Sequence, residues 1–382
     1  MSAPRIEVDL AAIEHNTRFL VLRLAKTGIS VTGVTKATRG SPEVARAMLR
    51  GGVTGLADSR IENLERLRRA GVSVPLTLLR SPAPAEADRA VIAADASLVS
   101  DMTVVRALAT AATAAGRTHG VVLMVELGDL REGVMPDEVL SCAREVAAHK
   151  GVILDGLGTN LACLNGVIPG AEQMGELSVL AGLVSTRLGL PGMRVSGGNS
   201  ANLRWALGRR PAGAVNDLRV GESILLGLDP LTQQPVAGLR GDAFTLVGAV
   251  IESREKPAEP WGPSAARAAQ VGSPGPAPRR RRGKRIQTIV ALGRQDMVPE
   301  GLAPPAGVKV IGATSDHLVL ETPTVLAAGT EMRFGVDYAA LLRAMGSPFV
   351  AVLMIDSSRS APAKPLEEGH VRTAPSVSVL QE

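Results

Sequence analysis

The sequence predicts an α/β protein, a TIM (β/α)8 barrel followed by a smaller C-terminal β domain. Through the first 230 residues, short apolar runs alternate with longer amphipathic runs, which gives about eight strands separated by helices. From about residue 231 the texture changes: strand-like runs are separated by turn residues and helical periodicity is scarce. The length of 382 residues also exceeds that of one small domain.

The predicted elements follow in order along the chain. The barrel strands are 30–35, 53–57, 74–79, 97–99, 120–126, 154–158, 193–196 and 217–219. Helical stretches between them include 41–50, 60–70, 102–115, 136–149 and 201–208. The strands of the smaller domain are 243–251, 286–292, 308–311, 317–321, 332–336 and 349–355. A doubly wound open sheet is the competing architecture, but its glycine-rich first turn is replaced by Thr35-Lys36-Ala37-Thr38-Arg39.

Composition shifts set the expected domain boundaries. The barrel is assigned to residues 1–230 and the β domain to 231–356. A Pro-, Ala-, Gly- and Arg-rich stretch near 255–285 is predicted to be a disordered insertion, and 357–382 a disordered tail.

The formal net charge of +5 owes much to one basic run at 279–285 (RRRRGKR). Such a run could contact the phosphates of nucleic acid. No aromatic platform or recognition helix accompanies it, and Pro and Gly crowd the residues before it. A solvated linker is therefore the favoured interpretation, and no nucleic-acid partner is expected.

Composition also excludes several other classes. Cys142 and Cys163 do not form a disulfide framework, and the five histidines show no metal-ligand spacing, so no metal is expected. The chain opens without a signal segment, and no apolar run approaches the roughly 18 residues of a membrane span. A cytoplasmic protein without a membrane partner is predicted.

In a TIM barrel the active site lies at the C-terminal ends of the strands. The side chains that follow the predicted strands form a polar, cationic ring around a glycine- and serine-rich loop of phosphate size. They are Lys36, Asp58 with Ser59 and Arg60, Arg80, Ser100, Asp129 with Arg131, Thr159 with Asn160, 196–200 (SGGNS), and Arg219 with Gly221.

Each of these residues has a functional and a structural interpretation. Lys36 could bind an aldehyde once desolvated, or it could simply extend from a strand end into solvent. The 196–200 loop could bind an anion before helix 201–208, or it could be an ordinary capped turn. Arg131 could clamp a carboxylate, or pair with Asp129 or Glu132 on the surface. A surface arginine is the structural interpretation of Arg219.

Taken together, these residues resemble the alanine racemase family of fold-type III pyridoxal-phosphate enzymes. The resemblance covers nearly the whole chain, except the 255–285 insertion and the tail. It rests on the opening 6–10 (IEVDL), 34–36 (VTK), 158–162 (GTNLA), Asn199-Ser200, 219–221 (RVG) and 312–316 (GATSD). Several stretches are more similar to the ornithine racemase branch: 31–36 (VTGVTK), 57–63 (ADSRIEN), 128–133 (GDLREG), 158–163 (GTNLAC), 196–203 (SGGNSANL) and 293–296 (GRQD).

The resemblance implies roles for individual residues. Lys36 stands where the family has the lysine that binds pyridoxal 5'-phosphate, and Asn160 stands where it presents a histidine to the cofactor ring. Ser196, Gly198, Asn199 and Ser200 would bind the phosphate. Arg219 would face the pyridine nitrogen, weakening the electron sink and disfavouring transamination. Arg131 and Asp316 would bind the substrate.

The second acid/base group is left open by the resemblance. The family uses a tyrosine of the second domain, and Arg294 stands at that position here. Asp296 and His317 are ranked level as candidates, ahead of Tyr338, the sole tyrosine, and Cys163.

The resemblance also implies the activity and the assembly. The expected reaction is racemisation of a free amino acid, ornithine or a related one, by Cα proton transfer on two faces. The expected form is a homodimer whose second domains, near 294–296 and 316–317, complete the partner's site. Two rivals stay open. One is a non-catalytic pyridoxal-phosphate carrier, which would lack the second domain. The other is a fold-type III aldolase or decarboxylase, for which only Asp316 and His317 approach a metal-ligand cluster.

Overall fold

The computed structural model describes residues 3–208, 212–259 and 283–357. The described chain divides into two compact units. One contains Asp9–Ala243 together with 354–357, and the other contains 3–8 together with Phe244–Leu353. No helix among the described residues is both long enough and apolar enough to cross a membrane.

The chain begins with a strand and a capped helix. Strand β1 (Arg5–Asp9) leads directly into helix α1 (Leu10–Ala25). Asp9 caps that helix, because its carboxylate accepts hydrogen bonds from the backbone N–H groups of Ala11 and Ala12 at 3.0 and 3.3 Å. Residues 3–8 belong with the second unit, because β1 pairs antiparallel with residues 244–247.

The larger unit is a closed barrel of eight parallel strands, which confirms the predicted TIM barrel. Its strands are β2 (Ser30–Val34), β3 (Gly55–Asp58), β4 (Leu76–Leu78), β5 (Ala96–Val99), β6 (His119–Met124), β7 (Val152–Gly158), β8 (Arg194–Ser196) and β9 (Asp217–Val220). Its further helices are α2 (Pro42–Arg50), α3 (Ile61–Arg69), α4 (Ala87–Ala93), α5 (Met102–Ala114), α6 (Val139–Ala148), α7 (Ala171–Leu188), α8 (Leu203–Ala206) and α9 (Glu222–Leu226). Parallel pairing brings the C-terminal ends of all eight strands to one end of the barrel.

The boundary between the units lies later than the predicted residue 230. The segment after α9 stays with the barrel because Asn16 on α1 fastens it: the Asn16 side chain donates to the Arg240 carbonyl at 2.8 Å and accepts from the Arg240 N–H at 2.6 Å. The chain therefore changes unit between Ala243 and Phe244.

The smaller unit is an antiparallel β domain, as predicted. Its strands after β1 are β10 (Phe244–Pro257), β11 (Lys284–Val290), β12 (Leu302–Ala303), β13 (Lys309–Ala313), β14 (Leu318–Glu321), β15 (Glu331–Val336) and β16 (Ala351–Ile355). Neighbouring strands follow the order β12-β15-β10-β11-β14-β13, and β1 pairs with β10 and β16. One helix, α10 (Tyr338–Gly346), follows β15.

The predicted disordered insertion is wrong at both of its ends. Residues 255–257 and 284–286 pair as two strands of a hairpin, with Pro257 opposite Lys284. An ion pair between Lys284 and Glu255, at 2.5 Å, joins the two strands near the end of the hairpin. The rest of the insertion (260–282), including Arg279–Arg282 of the basic run, and the tail from residue 358 lie outside the described residues.

Candidate active site

Lys36 lies at the C-terminal end of the barrel, and the backbone that carries it is firmly held. It is the first residue of a short 3-10 turn, Lys36–Thr38, two residues after β2 ends. The buried Thr35 before it donates from its hydroxyl to the Asp58 carboxylate at 2.8 Å. Burial raises the pKa of Asp58 above its ordinary value, against the opposing hydrogen bonds from Asn63 and Thr35. The backbone next to Lys36 is thus fixed to β3, while the Lys36 side chain itself is exposed.

Arg219 is a buried cation on the neighbouring strand, not a surface arginine. It lies on β9 and is 5% exposed. Its Nη2 donates to the Thr159 carbonyl at 2.7 Å, and its Nη1 donates to the Ser196 hydroxyl at 2.5 Å. Burial lowers the pKa of Arg219 from its ordinary value, yet a guanidinium stays charged at neutral pH. The structure therefore holds a fixed positive charge between the ends of β7, β8 and β9.

Asn160 lies between two guanidinium groups. In one orientation of its amide, the oxygen accepts from Asn199 Nδ2 at 3.0 Å and lies 3.4 Å from Arg219 Nη2. In the swapped orientation, the oxygen accepts from Arg131 Nη1 and Nη2 at 2.9 and 2.8 Å. A single amide oxygen cannot face both sides at once. This part of the barrel mouth thus has more donors than acceptors, which suits an anionic or acceptor-rich ligand.

The predicted phosphate loop is a cradle in which a side chain would not fit. Gly198 adopts φ 139°, and a Cβ there would stand 2.2 Å from Asn202 Oδ1. Asn202 Oδ1 accepts from the Asn199 N–H at 3.1 Å, which shapes the loop from within. Ser200 Oγ accepts from the Ser223 N–H at 3.3 Å and so joins this loop to the first turn of α9. The N-terminal turns of two helical segments therefore meet at this loop, and helix N-termini favour an anion.

Gly221 allows the 196–200 cradle to lie close to the backbone that carries Lys36. A Cβ at Gly221 would stand 3.0 Å from Val34 Cβ and 3.2 Å from the Val34 carbonyl oxygen. Val34 ends β2, two residues before Lys36. The ends of β2, β8 and β9 therefore meet at the same place, with the lysine beside the cradle.

Two strained loops beside Asn160 are held by buried carboxylates: Glu126, which the sequence analysis did not name, and Asp129, which it named only as a strand-end residue and a possible partner of Arg131. Leu130 (φ 53°) and Ala162 (φ 58°) both adopt the left-handed conformation that side chains disfavour. Glu126 accepts from the N–H groups of residues 128, 130 and 131, at 2.6, 2.9 and 3.2 Å. Asp129 accepts from the N–H groups of 163, 164, 165 and 167, at 3.1, 2.9, 3.2 and 3.3 Å. We call this second set the Asp129 latch.

The latch explains two further observations. Burial would raise the pKa of Asp129, but its backbone donors outweigh that effect and hold the pKa below the ordinary value. Because Asp129 is committed to the latch, Arg131 pairs with Glu132 instead. The Arg131 guanidinium still reaches Asn160, so it belongs to the same cluster as Arg219.

The remaining candidates occupy different settings. Cys163 lies in the barrel mouth, where its Sγ accepts from Asn160 Nδ2 at 2.9 Å in the first of the two amide orientations. On the β domain, Asp296 is buried and accepts from the Gly293 N–H at 3.0 Å, whereas His317 is exposed.

Two loops of the β domain, at residues 293–296 and 314–317, are hydrogen-bonded to each other. We call them the tip of the β domain, and they carry Asp316. The N–H groups of Arg294 and Gln295 donate to the carbonyls of Thr314 and Ser315, at 2.9 and 3.2 Å. On this tip, the Gln295 amide donates to the Asp316 carboxylate.

Tyr338 opens α10 and is partly buried. Among the described residues, no group of three or more His, Cys, Asp or Glu side chains could hold a metal ion.

Comparisons with known proteins agree with this geometry. Residues 8–230 match the family profile described as alanine racemase, N-terminal domain. The chain is 36% identical to a lysine racemase of Thermotoga maritima, over 92% of this chain and 98% of that protein. It is 32% identical to an ornithine racemase of Acetoanaerobium sticklandii, over 91% and 98%.

Solved structures share the fold at lower identity. An alanine racemase from E. faecalis superposes with a TM-score of 0.70 at 19% identity, over 93% of this chain and all of that one. A D-threonine aldolase from Filomicrobium marinum gives 0.68 at 16% identity, over 90% and 89%. The family profile covers more than half of the chain, and both racemases align with it almost from end to end. The chain therefore belongs to the alanine racemase family.

Proposed function

We propose that this protein is a pyridoxal-phosphate-dependent racemase of a basic amino acid, ornithine or lysine. The observation that carries the proposal is the convergence of Lys36, the 196–200 cradle and buried Arg219 at one end of the barrel. The diamino-acid substrate is supported by the names of the two curated relatives that align over the whole chain.

The residues present fit the cofactor. The cradle has no room for a side chain at Gly198 and suits a phosphate, and the excess of donors around Asn160 suits a ligand rich in acceptors. Lys36 would hold the aldehyde end, Asn199 and Ser200 the phosphate end, and Arg219 the ring nitrogen. When bound, pyridoxal phosphate supplies an electron sink that makes the substrate Cα–H acidic.

The chain's own residues would then move the proton. Lys36 Nζ exchanges the Cα proton on one face. The hydrogen bond from Thr35 to Asp58 keeps the backbone beside Lys36 in place. Arg219, buried and charged, offers N–H donors and no acceptor, so it would bond an unprotonated ring nitrogen. A guanidinium keeps its own proton, so it would not protonate the ring, and the electron sink would be restrained. Arg131 lies beside Asn160 and would bind the substrate carboxylate once its ion pair with Glu132 breaks.

We propose a homodimer, in which the tip of one subunit provides the second proton donor to the partner's barrel. Of the two leading candidates, His317 is the better placed to exchange protons because it is exposed, whereas Asp296 is committed to the Gly293 turn. Asp316 on the same tip is proposed to bind substrate.

The activity is tested with a panel of L-amino acids. The protein is incubated with cofactor in deuterated water, and the products are separated on a chiral column. Ornithine or lysine should become racemic with deuterium at Cα, and Lys36→Ala should abolish both effects. A cofactor carrier would exchange no Cα hydrogen, and an aldolase would instead cleave a β-hydroxy amino acid.

The shared site is tested by mixing two inactive variants. Lys36→Ala and His317→Gln subunits, unfolded and refolded together, should regain about a quarter of the wild-type sites if each site uses both subunits. No regain, together with a monomer of full activity in sedimentation and dilution assays, would contradict the dimer.

A further inference from the structure

One side of the barrel interior is polar where branched aliphatic residues usually pack. Thr32 on β2, Ser196 on β8, and Asp217 and Arg219 on β9 come from three adjacent strands and are all less than 10% exposed. The opposite strands β5 and β6 contribute an apolar cluster instead. Placing two charges in this interior is costly unless they compensate each other.

These four side chains form one directed chain of hydrogen bonds. Arg219 Nη1 donates to Ser196 Oγ at 2.5 Å, and Ser196 Oγ donates its single proton to Asp217 Oδ2. Thr32 Oγ1 donates to the other oxygen, Asp217 Oδ1, at 2.7 Å. The Ser196 hydroxyl thus stands between a buried cation and a buried anion, and it can serve both only in this direction.

Asp217 is remote from the reacting end of the barrel. It begins β9, whereas Arg219 lies two residues further towards the C-terminal end. Asp217 and Thr32 also line a cavity of about 560 Å³ whose other walls include Gly55, Pro75 and Arg194, residues near the starts of the strands. The Asp217 carboxylate is therefore joined to Arg219 through the Ser196 hydroxyl.

We propose that Asp217, acting through Ser196, is a positioning residue that neutralises Arg219 and holds its guanidinium towards the cofactor ring. The proposal rests on the proposed function only in the identity of the ligand that Arg219 faces. Without Asp217, the interior would hold an uncompensated positive charge, and the Ser196 hydroxyl would lose the acceptor that keeps its lone pairs turned towards Arg219 Nη1. The negative charge of the buried Asp217 also attracts the Arg219 guanidinium directly and favours its charged form.

The coupling is tested first on the cofactor-free protein by a double-mutant cycle. The urea midpoints of wild type, Asp217→Asn, Arg219→Gln and the double variant are compared. We expect Arg219→Gln to cost markedly less stability in the Asp217→Asn background than in wild type. Strictly additive effects would overturn the proposal.

The loaded protein supplies the second readout. Ser196→Ala and Asp217→Asn should each weaken pyridoxal-phosphate binding about tenfold to a hundredfold, as expected for loss of a charged hydrogen bond. They should also shift the pH profile of the bound cofactor's visible absorbance. Ser196→Thr, which keeps the hydroxyl, should recover binding to within about threefold. Thr77→Val, a buried threonine on β4, is the matched control and should leave both unchanged.

The outcomes separate the two proposals. If wild type binds no pyridoxal phosphate, the proposed function fails while the cycle still reports on the coupling. If wild type binds and racemises, but Ser196→Ala matches it in affinity and in pH profile, the role of Asp217 is refuted. Ser196→Ala also decides the matter should Asp217→Asn fail to fold.

Discussion

Replacing Asp129 with asparagine should open the Asp129 latch without changing the shape of the side chain. Each Asp129 oxygen accepts two backbone N–H groups: Oδ2 those of Cys163 and Leu164, Oδ1 those of Asn165 and Val167. In the variant one oxygen becomes an NH2 group, so two N–H donors face another donor. At about 1–1.5 kcal/mol for each lost bond, closing the latch becomes about 2–3 kcal/mol less favourable. That is a shift of about 30- to 150-fold in the closing equilibrium.

The effect is measured by hydrogen exchange. The amides of 163, 164, 165 and 167 should lose protection by about this factor in Asp129→Asn, and kcat/KM should fall because Asn160 borders the loop. Asp137→Asn, an exposed carboxylate nearby, is the control with the same change in charge. Unchanged protection of these amides would refute the latch.

The same prediction has a definite pH dependence. The folded pKa of Asp129 is lowered, so its contribution to stability is complete above the ordinary carboxyl pKa of about 3.9 and is lost as pH falls through the lower folded pKa. Wild type and Asp129→Asn should therefore differ fully at pH 7 and converge in strong acid.

Three further perturbations test other parts of the structure. Gly198→Ala should abolish cofactor binding, because its Cβ would stand 2.2 Å from Asn202 Oδ1, whereas Gly175→Ala, with open space around it, should bind normally in a fluorescence titration. Burial lowers the pKa of His119 to about 4, so the unfolding free energy should drop by about 1.5 kcal/mol between pH 6.5 and 5, where only the unfolded chain takes up the proton. Urea unfolding checks this, and His119→Gln should lack the slope. Gly293→Ala should distort the tip of the β domain, because its Cβ would lie 1.8 Å from the Ser315 carbonyl oxygen; racemisation should fall while the barrel's cofactor affinity is retained.

The barrel could be predicted from sequence because its signal is local. Each strand is a short buried run followed by an amphipathic helix, so alternation alone located all eight strands. Lys36, the 196–200 loop and Arg219 were identifiable for the same reason, since each follows or lies in a strand whose end is set by topology.

The errors and omissions come from contacts distant in sequence. The attachment of Arg240 to Asn16, which moves the domain boundary, links residues more than 200 positions apart. The Asp129 latch depends on a loop conformation that no periodicity encodes. The pairing of β1 with β10 likewise depends on two distant strands.

Asp217 carried a usable sequence signal. Asp217 and Arg219 stand two apart in a barrel strand, and alternate strand residues share a face, so both side chains lie on the same face of β9. Two charges on an interior face indicate a compensated pair.

The most direct test of the central claim is to locate the cofactor on the chain. The protein is loaded with pyridoxal phosphate, treated with borohydride to fix the cofactor covalently to the amine that holds it, and digested for peptide mass mapping. The account predicts the added mass on Lys36, and its disappearance from that peptide in Lys36→Ala. Labelling of another lysine, such as Lys26, Lys150 or Lys309, or no stable label at all, would contradict it.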